Sequence, residues 1–379
     1  MANAYAKINP DNIRWARLRA NLTEGMLARK LDVDEERIAA WESGEKPITF
    51  KQAKKIADKT YIPFGFLFLK QAPEDRLPIP DLRTKEGEEI KRPSAELLKI
   101  IQIILARQNW FKDYLNQQES ASVPYVGKFN LSSSVTDIVS DMKSALGIPE
   151  HPTRGSWEDY QRDLVKQIES LGILVMRHGD LGHFTKALSV EEFRGFAIVD
   201  KACPIIFVNQ ADTPSARLFT LIHELAHIWI GQSGISDGGT NPHRKEEILC
   251  NAVAAEFLVP GNEFQKLWNK HDEWTDNLPP LESHFHVSQW VLARRALTLN
   301  FISQEQYFQF TEKLKRLYNE RESSGGPSFY KTKRSQISEQ FSRALLAEAL
   351  SGRVLLRDAS ALLGMKPNQV FKFAEELGI

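Results

Sequence analysis

Residues 219–231 read FTLIHELAHIWIG, and this stretch constrains the chain more than any other. Leu221, Ile222, Leu225, Ile228 and Trp229 surround His223, Glu224 and His227, so the segment predicts a helix packed into a core. In a helix, residues four apart share one face about one turn apart. Both imidazoles can therefore reach one tetrahedral zinc ion. Glu224 stands beside the first histidine, where it can take a proton from water on that ion. A single histidine in an apolar helix is usually a hydrogen-bonded core residue. Two at this spacing, with a glutamate between them, point to a metal.

A catalytic zinc takes three protein ligands and keeps one position for water, so a third ligand is expected on a second element. Residues 246–260, EEILCNAVAAEFLVP, predict that element: a helix with carboxylates at its start, stopped by Pro260 and Gly261. Glu247 is the favoured ligand. Asn251 lies four residues on, on the same face, and could hydrogen-bond a ligand histidine. Glu246 competes, with Cys250 as its neighbour at that spacing. A closed structural zinc site is disfavoured, because Cys203 and Cys250 are isolated and no Cys–x–x–Cys pair exists. Each thiol reads as a small buried hydrophobe and not as a nucleophile.

The surroundings are mixed. Leu171–Met176, Gly195–Val199 and Pro204–Asn209 are short β-type runs. Residues 10–70 instead predict four short helices. Pro10 opens the first, with Ile13, Ala16, Leu18 and Leu22 at helical spacing. Thr23 caps the second, which carries Met26, Leu27, Ala28 and Leu31. Asp34 caps the third, Gly44 and Pro47 stop it, and Thr49 opens the fourth. Residues 73–94 combine four prolines with many charges and predict a linker or extended arm. Glu96–Gln117 is apolar on more than one stripe, as expected of a helix buried between parts. SSGGPS at 323–328 predicts a flexible break, and 335–379 a small helical unit that stops at Gly364.

Length and charge narrow the function classes. A chain of 379 residues should hold two or three domains. Lys+Arg and Asp+Glu both number 49, so bulk positive charge cannot hold it to nucleic acid, although a local basic face can. No apolar run approaches the roughly 20 residues that cross a bilayer, and the start has no signal-type apolar block. Two cysteines fit a reducing cytoplasm.

TLIHELAHIWIG followed by EEILCNAVAAEFLVP resembles the ImmA/IrrE family of bacterial metallopeptidases, which have a gluzincin-type site. Residues 194–220 and 286–303 are similar to the same family, and 325–364 to a tail of some longer members, so the resemblance covers about 150–379. It implies a zinc-dependent endopeptidase, often one that cleaves a repressor protein. His223, His227 and Glu247 match the zinc ligands, and Glu224 the base. The strand near Arg194–Val199 is expected to hold an extended substrate at its edge. An oxyanion donor is needed too, with His183, His243, His286 and Arg217 as candidates.

Residues 16–68 resemble the helix-turn-helix domain of the Xre/Cro repressor type, through Leu27-Ala28, the Asp32-Val33-Asp34 turn, Ile38 and Trp41-Glu42-x-Gly44. The resemblance implies that the helix from Asp34 to Glu42 enters the major groove. Asp34, Glu35 and Glu36 would repel phosphates there. Arg37 is the candidate base reader, and Arg14, Arg17, Arg19, Arg29, Lys30 and Lys46 could meet phosphates. A partner protein or the peptidase itself is the alternative target.

The expected fold class is α+β, mainly helical. A helix-turn-helix domain (8–72), a linker and connecting helix (73–120), a zincin-like peptidase domain (121–322) and a helical unit (323–379) follow one another. The expected function is a cytoplasmic zinc endopeptidase linked to transcription control, cleaving a repressor or antitoxin-like protein. The module that reads DNA would also favour a homodimer. The alternative is a DNA-binding regulator or antitoxin whose peptidase fold is a sensor or scaffold.

Overall fold

A computed structural model describes residues 4–73, 79, 93–148, 157–181, 187–236, 244–319 and 329–379. The expected linker at 73–94 lies almost entirely outside these residues, as does all of the break at 323–328.

The N-terminal helices begin where short polar side chains satisfy the first backbone N–H groups. They are α1 (Pro10–Arg19), α2 (Glu24–Leu31), α3 (Glu35–Glu42) and α4 (Phe50–Lys59). Thr23 accepts from the Met26 N–H, and Thr49 forms a capping box with Gln52. Asp34 occupies the position that precedes α3, but its side chain makes no capping bond. Strands β1 (Tyr5–Ala6) and β2 (Ile48–Thr49) pair antiparallel. Ile13, Ala16, Leu27, Leu31, Ile38, Trp41 and Ile56 form the core.

Leu18 and Met26 do not join that core and are 59% and 44% exposed. In α1 the buried stripe is Asn12, Ile13, Ala16 and Arg17, and Leu18 falls outside it. The interior takes Arg17, one of the several cations that could have met phosphates. Its guanidinium donates to Glu42 through Nε at 2.6 Å and Nη2 at 2.7 Å, and through Nη1 to the Leu22 carbonyl at 3.1 Å. This buried pair ties α1 to the end of α3.

Helix α5 (Ala95–Gln117) buries Leu97, Leu98, Ile100, Ile101, Ile104, Arg107, Gln108 and Phe111, more than one stripe. The chain divides into two compact units within this helix, between Ala106 and Arg107.

The second unit runs through α6 (Val135–Leu146), α7 (Trp157–Ser170), β3 (Leu174–His178), β4 (Gly195–Ile198), β5 (Ile205–Asn209), α8 (Pro214–Ile230), β6 (Gly234–Ser236) and α9 (Lys245–Leu258). Then come α10 (Gly261–Leu267), α11 (Leu278–Phe285), α12 (Gln289–Thr298), α13 (Gln304–Asn319), α14 (Phe329–Gln336), α15 (Glu339–Leu350), α16 (Leu356–Leu363) and α17 (Val370–Glu376). The fold is α+β and mainly helical. The sheet order is β3-β5-β4-β6, with β3 parallel to β5 and the other pairs antiparallel. Strand β4, expected at an edge, is therefore an inner strand. Its second neighbour is β6, whose three residues, Gly-Ile-Ser, are too few and too small to read as a strand.

Helix α8 lies on β4 and β5 and packs against α9, which in turn packs on α6. Leu221, Ile222, Leu225 and Trp229 meet Val253, Ala254 and Phe257 in one core. At the C-terminal end, Phe341 sits against Trp110 and Phe111, with ring centroids 5.6 and 6.0 Å away. The buried Arg107 donates through Nε to the Leu362 carbonyl at 2.8 Å, at the negative end of α16, and through Nη1 to His178 Nε2 at 2.9 Å. Gly364 ends α16 in the left-handed conformation, φ +65°. No helix among the described residues is long and apolar enough to cross a membrane.

Breaking a buried ion pair strands a charge, at a cost of about 3–5 kcal/mol. Glu42→Ala should thus unfold the N-terminal unit at markedly lower denaturant than the wild type, while Asp11→Ala on the exposed start of α1 should shift it little. Denaturant melts followed by tryptophan fluorescence check this.

Candidate metal centre

Helix α8 is fixed at both ends. Thr213 caps its start ahead of Pro214, and Gly231 ends it at φ +70°. A strap from Val123 to Asn130 finishes its last turn. Gly127 N–H donates to the Ile228 carbonyl and Phe129 N–H to that of Trp229, both at 3.0 Å. Tyr125 stacks on the Trp229 ring at 5.0 Å, and Trp229 Nε1 donates to Asp141 at 2.8 Å. The helix that carries the histidines is thereby held rigid.

His223 and His227 present their Nε2 atoms to each other at 3.2 Å. Helix α9 brings Glu247 to both: Oε2 is 3.3 Å from His223 Nε2, and Oε1 is 3.1 Å from His227 Nε2. All three side chains are buried, and one donor atom from each lies within 4.8 Å of the others. Glu246, the competing carboxylate, is not in the cluster. On the far side of His227, Nδ1 pairs with the Gln232 carbonyl at 3.1 Å, which fixes Nε2 as the atom facing the cluster.

Burial and mutual charge oppose each other throughout the cluster. Burial alone would discharge His223, but the Glu247 carboxylate beside it turns the balance and raises its pKa. Glu247 is held well below the usual carboxylate range by the two imidazoles, against the cost of its own burial. Burial lowers His227. It pushes the Glu224 carboxyl up to about 8, against the pull of His223 and of the nearby Ser236 hydroxyl, and neither oxygen of that carboxyl makes a hydrogen bond of ordinary length. Two imidazole nitrogens and a carboxylate, with an unpartnered carboxylate adjoining, fit a divalent cation and a polar ligand on it.

Family comparison agrees with this geometry. Residues 168–297 match the peptidase M78 family, described as an IrrE N-terminal-like domain. Residues 13–67 match a helix-turn-helix family, and 337–376 a domain of unknown function, DUF8813. The chain joins a helix-turn-helix domain to an IrrE-like peptidase domain. No curated protein matches the chain along its sequence.

In the IrrE-like domain, Asn251 lies on α9 where its amide favours the charged form of His223. Two other residues shape the site without having been legible in sequence. Ser236, on β6, places Oγ 3.1 Å from His223 Nε2 and 3.4 Å from Glu247 Oε1. Gly195, on β4, lies against Glu224: a Cβ there would come within 2.8 Å of Glu224 Oε1 and 2.6 Å of Thr220 Cγ2. A glycine inside a β-type run is the one signal that could have flagged it. Two of the four oxyanion candidates fall among the described residues. Arg217 Nε is engaged by the Asp212 carbonyl at 2.8 Å, and His286 is the left-handed end of α11, φ +52°. Neither belongs to the donor cluster, and His183 and His243 lie outside the described residues. Cys250 is fully buried, and burial drives its thiol pKa well upward, which disfavours the thiolate.

In the helix-turn-helix domain Arg37, Arg29, Lys30 and Lys46 are all exposed. Arg37 lies over the Trp41 ring at 5.8 Å, and Arg29 Nε donates to the Gly25 carbonyl at 3.3 Å. Asp34, Glu35 and Glu36 are exposed as well.

Gly195→Ala forces a methyl against the Phe207 carbonyl at 2.8 Å as well as against Glu224. It should cost about 1–3 kcal/mol of stability, as overpacking does. Thermal unfolding of the full chain measures this, and an unchanged melting temperature would mean that β4 and α8 are not as close as described.

Proposed function

We propose that the chain is a cytoplasmic zinc-dependent endopeptidase, tied to transcription control, that cleaves a repressor or antitoxin-like protein. One observation carries the reading: three donors of the kinds zinc prefers converge in a buried spot beside a carboxylate whose oxygens have no partner. In this reading His223, His227 and Glu247 hold the ion, and Asn251 steadies His223. When bound, zinc supplies Lewis acidity toward a carbonyl and lowers the pKa of water to near neutrality. The set of two imidazoles and one carboxylate favours zinc over harder cations.

Glu224 is the general base. It takes the proton of the attacking water and returns it to the leaving amine. Gly195 leaves the room that this carboxylate and the water need. An extended substrate would lie along β6, the outer strand beside the donors, and not along β4.

The helix-turn-helix domain brings this activity to a promoter, with Arg37 at bases and Arg29, Lys30 and Lys46 at phosphates, in a homodimer. The acidic start of α3 keeps that affinity low and salt-sensitive.

Glu224→Gln should retain one zinc per chain and lose cleavage by about 10²–10⁴-fold, whereas His223→Ala should lose the zinc itself. Metal analysis and cleavage of repressors encoded beside this chain test both. A protein that holds stoichiometric zinc yet cleaves no neighbour-encoded or co-purifying protein is a sensor or scaffold, and the endopeptidase reading fails. For DNA, the logarithm of affinity should fall linearly with that of salt, and Lys30→Ala should flatten the slope by about 1. A gel-shift titration of the full chain on its own promoter reads this slope.

A further inference from the structure

The donor cluster contains a fourth side chain. Five separations link the four groups: 3.2 Å between the imidazole nitrogens, 3.3 and 3.1 Å from these to the Glu247 oxygens, 3.1 Å from Ser236 Oγ to His223 Nε2, and 3.4 Å from Ser236 Oγ to Glu247 Oε1. A tetrahedral ion with bonds of about 2.0–2.1 Å sets its donors roughly 3.3–3.4 Å apart, because a tetrahedron's edge is about 1.63 times its centre-to-corner distance. Glu247 turns one oxygen to each imidazole, and Ser236 Oγ stands within reach of two of the three donor groups, beside the point on which they converge. Ser236 is only 2% exposed, and its hydroxyl donates to Glu247 Oε1, which leaves oxygen lone pairs for another partner.

We propose that Ser236 is a fourth protein donor, which holds the remaining corner of the metal in the resting chain and must give it up before substrate can be attacked. The proposal rests on the reading that His223, His227 and Glu247 bind a divalent cation. The position of Ser236 in the fold suits a cap. It ends a three-residue strand, held to β4 by the pairs Gly195↔Ser236, Phe196↔Ile235 and Ala197↔Gly234. All three residues of β6 are buried, so the outer strand and the fourth corner are closed together. A strand this short shifts at little cost, and a partner or substrate segment pairing with it would move the residue that caps the ion. Engagement at β6 would then be coupled to opening of the metal.

Cobalt(II) is the probe, loaded into the full-length wild type, S236A and S236C. Thiolate is a strong ligand for this ion, so S236C should gain a thiolate-to-cobalt charge-transfer absorption that the wild type lacks, and hold cobalt about ten-fold tighter. S236A should hold it several-fold more weakly, and its cobalt spectrum should respond to azide at roughly ten-fold lower concentration than that of the wild type, because the corner is open. One equivalent of cobalt in all three proteins, with no charge-transfer band in S236C and equal azide responses, overturns the cap while leaving the metal centre standing. A wild type that binds no cobalt overturns the metal centre itself.

Discussion

The second unit is organised around one contact, the Glu247 carboxylate of α9 set against the two imidazoles of α8. At separations near 3 Å and an effective dielectric of about 20, unit charges attract by on the order of 5 kcal/mol. Taking a carboxylate out of water costs several kcal/mol in return. The two terms nearly cancel, so this contact is a poor way to stabilise a fold. Its value lies in the convergence of electron pairs on one point. The Glu224 carboxyl beside it is buried with neither oxygen hydrogen-bonded, and it meets the cost of burial by a raised pKa.

The scaffold serves that convergence. Helix α8 is clamped by the strap at Val123–Asn130, seated on β4 and β5, and flanked by α9. Preorganisation of this kind keeps donors within a few tenths of an ångström without help from the ion. Gly195 shows how tightly the layers fit, for only the absence of a side chain lets β4 run under Glu224.

The helix-turn-helix domain is held together differently. Its helices are short, and a buried Arg17–Glu42 pair joins α1 to the end of α3. The Trp41-Glu42-x-Gly44 mark that gives the third helix its family look thus has a structural role. Trp41 fills the core, Glu42 receives the guanidinium, and Gly44 takes φ +76° past the helix end. A cation that sequence alone could not tell from the surface charges around it is used inside the domain.

Sequence alone determined the two helices that carry the donor cluster, the shared face of His223 and His227, and the caps at Thr23 and Thr49. All of these are local, set by a 3.6-residue period and by capping chemistry that acts within one turn. Tertiary structure alone decided that β4 is an inner strand, that Leu18 faces out while Arg17 faces in, and that Ser236 and Gly195 lie beside the donor cluster. The reason is physical: strand order and the meeting of a three-residue strand with a distant helix depend on long-range pairing, and no periodicity along the chain records which neighbours a strand or a hydroxyl will find.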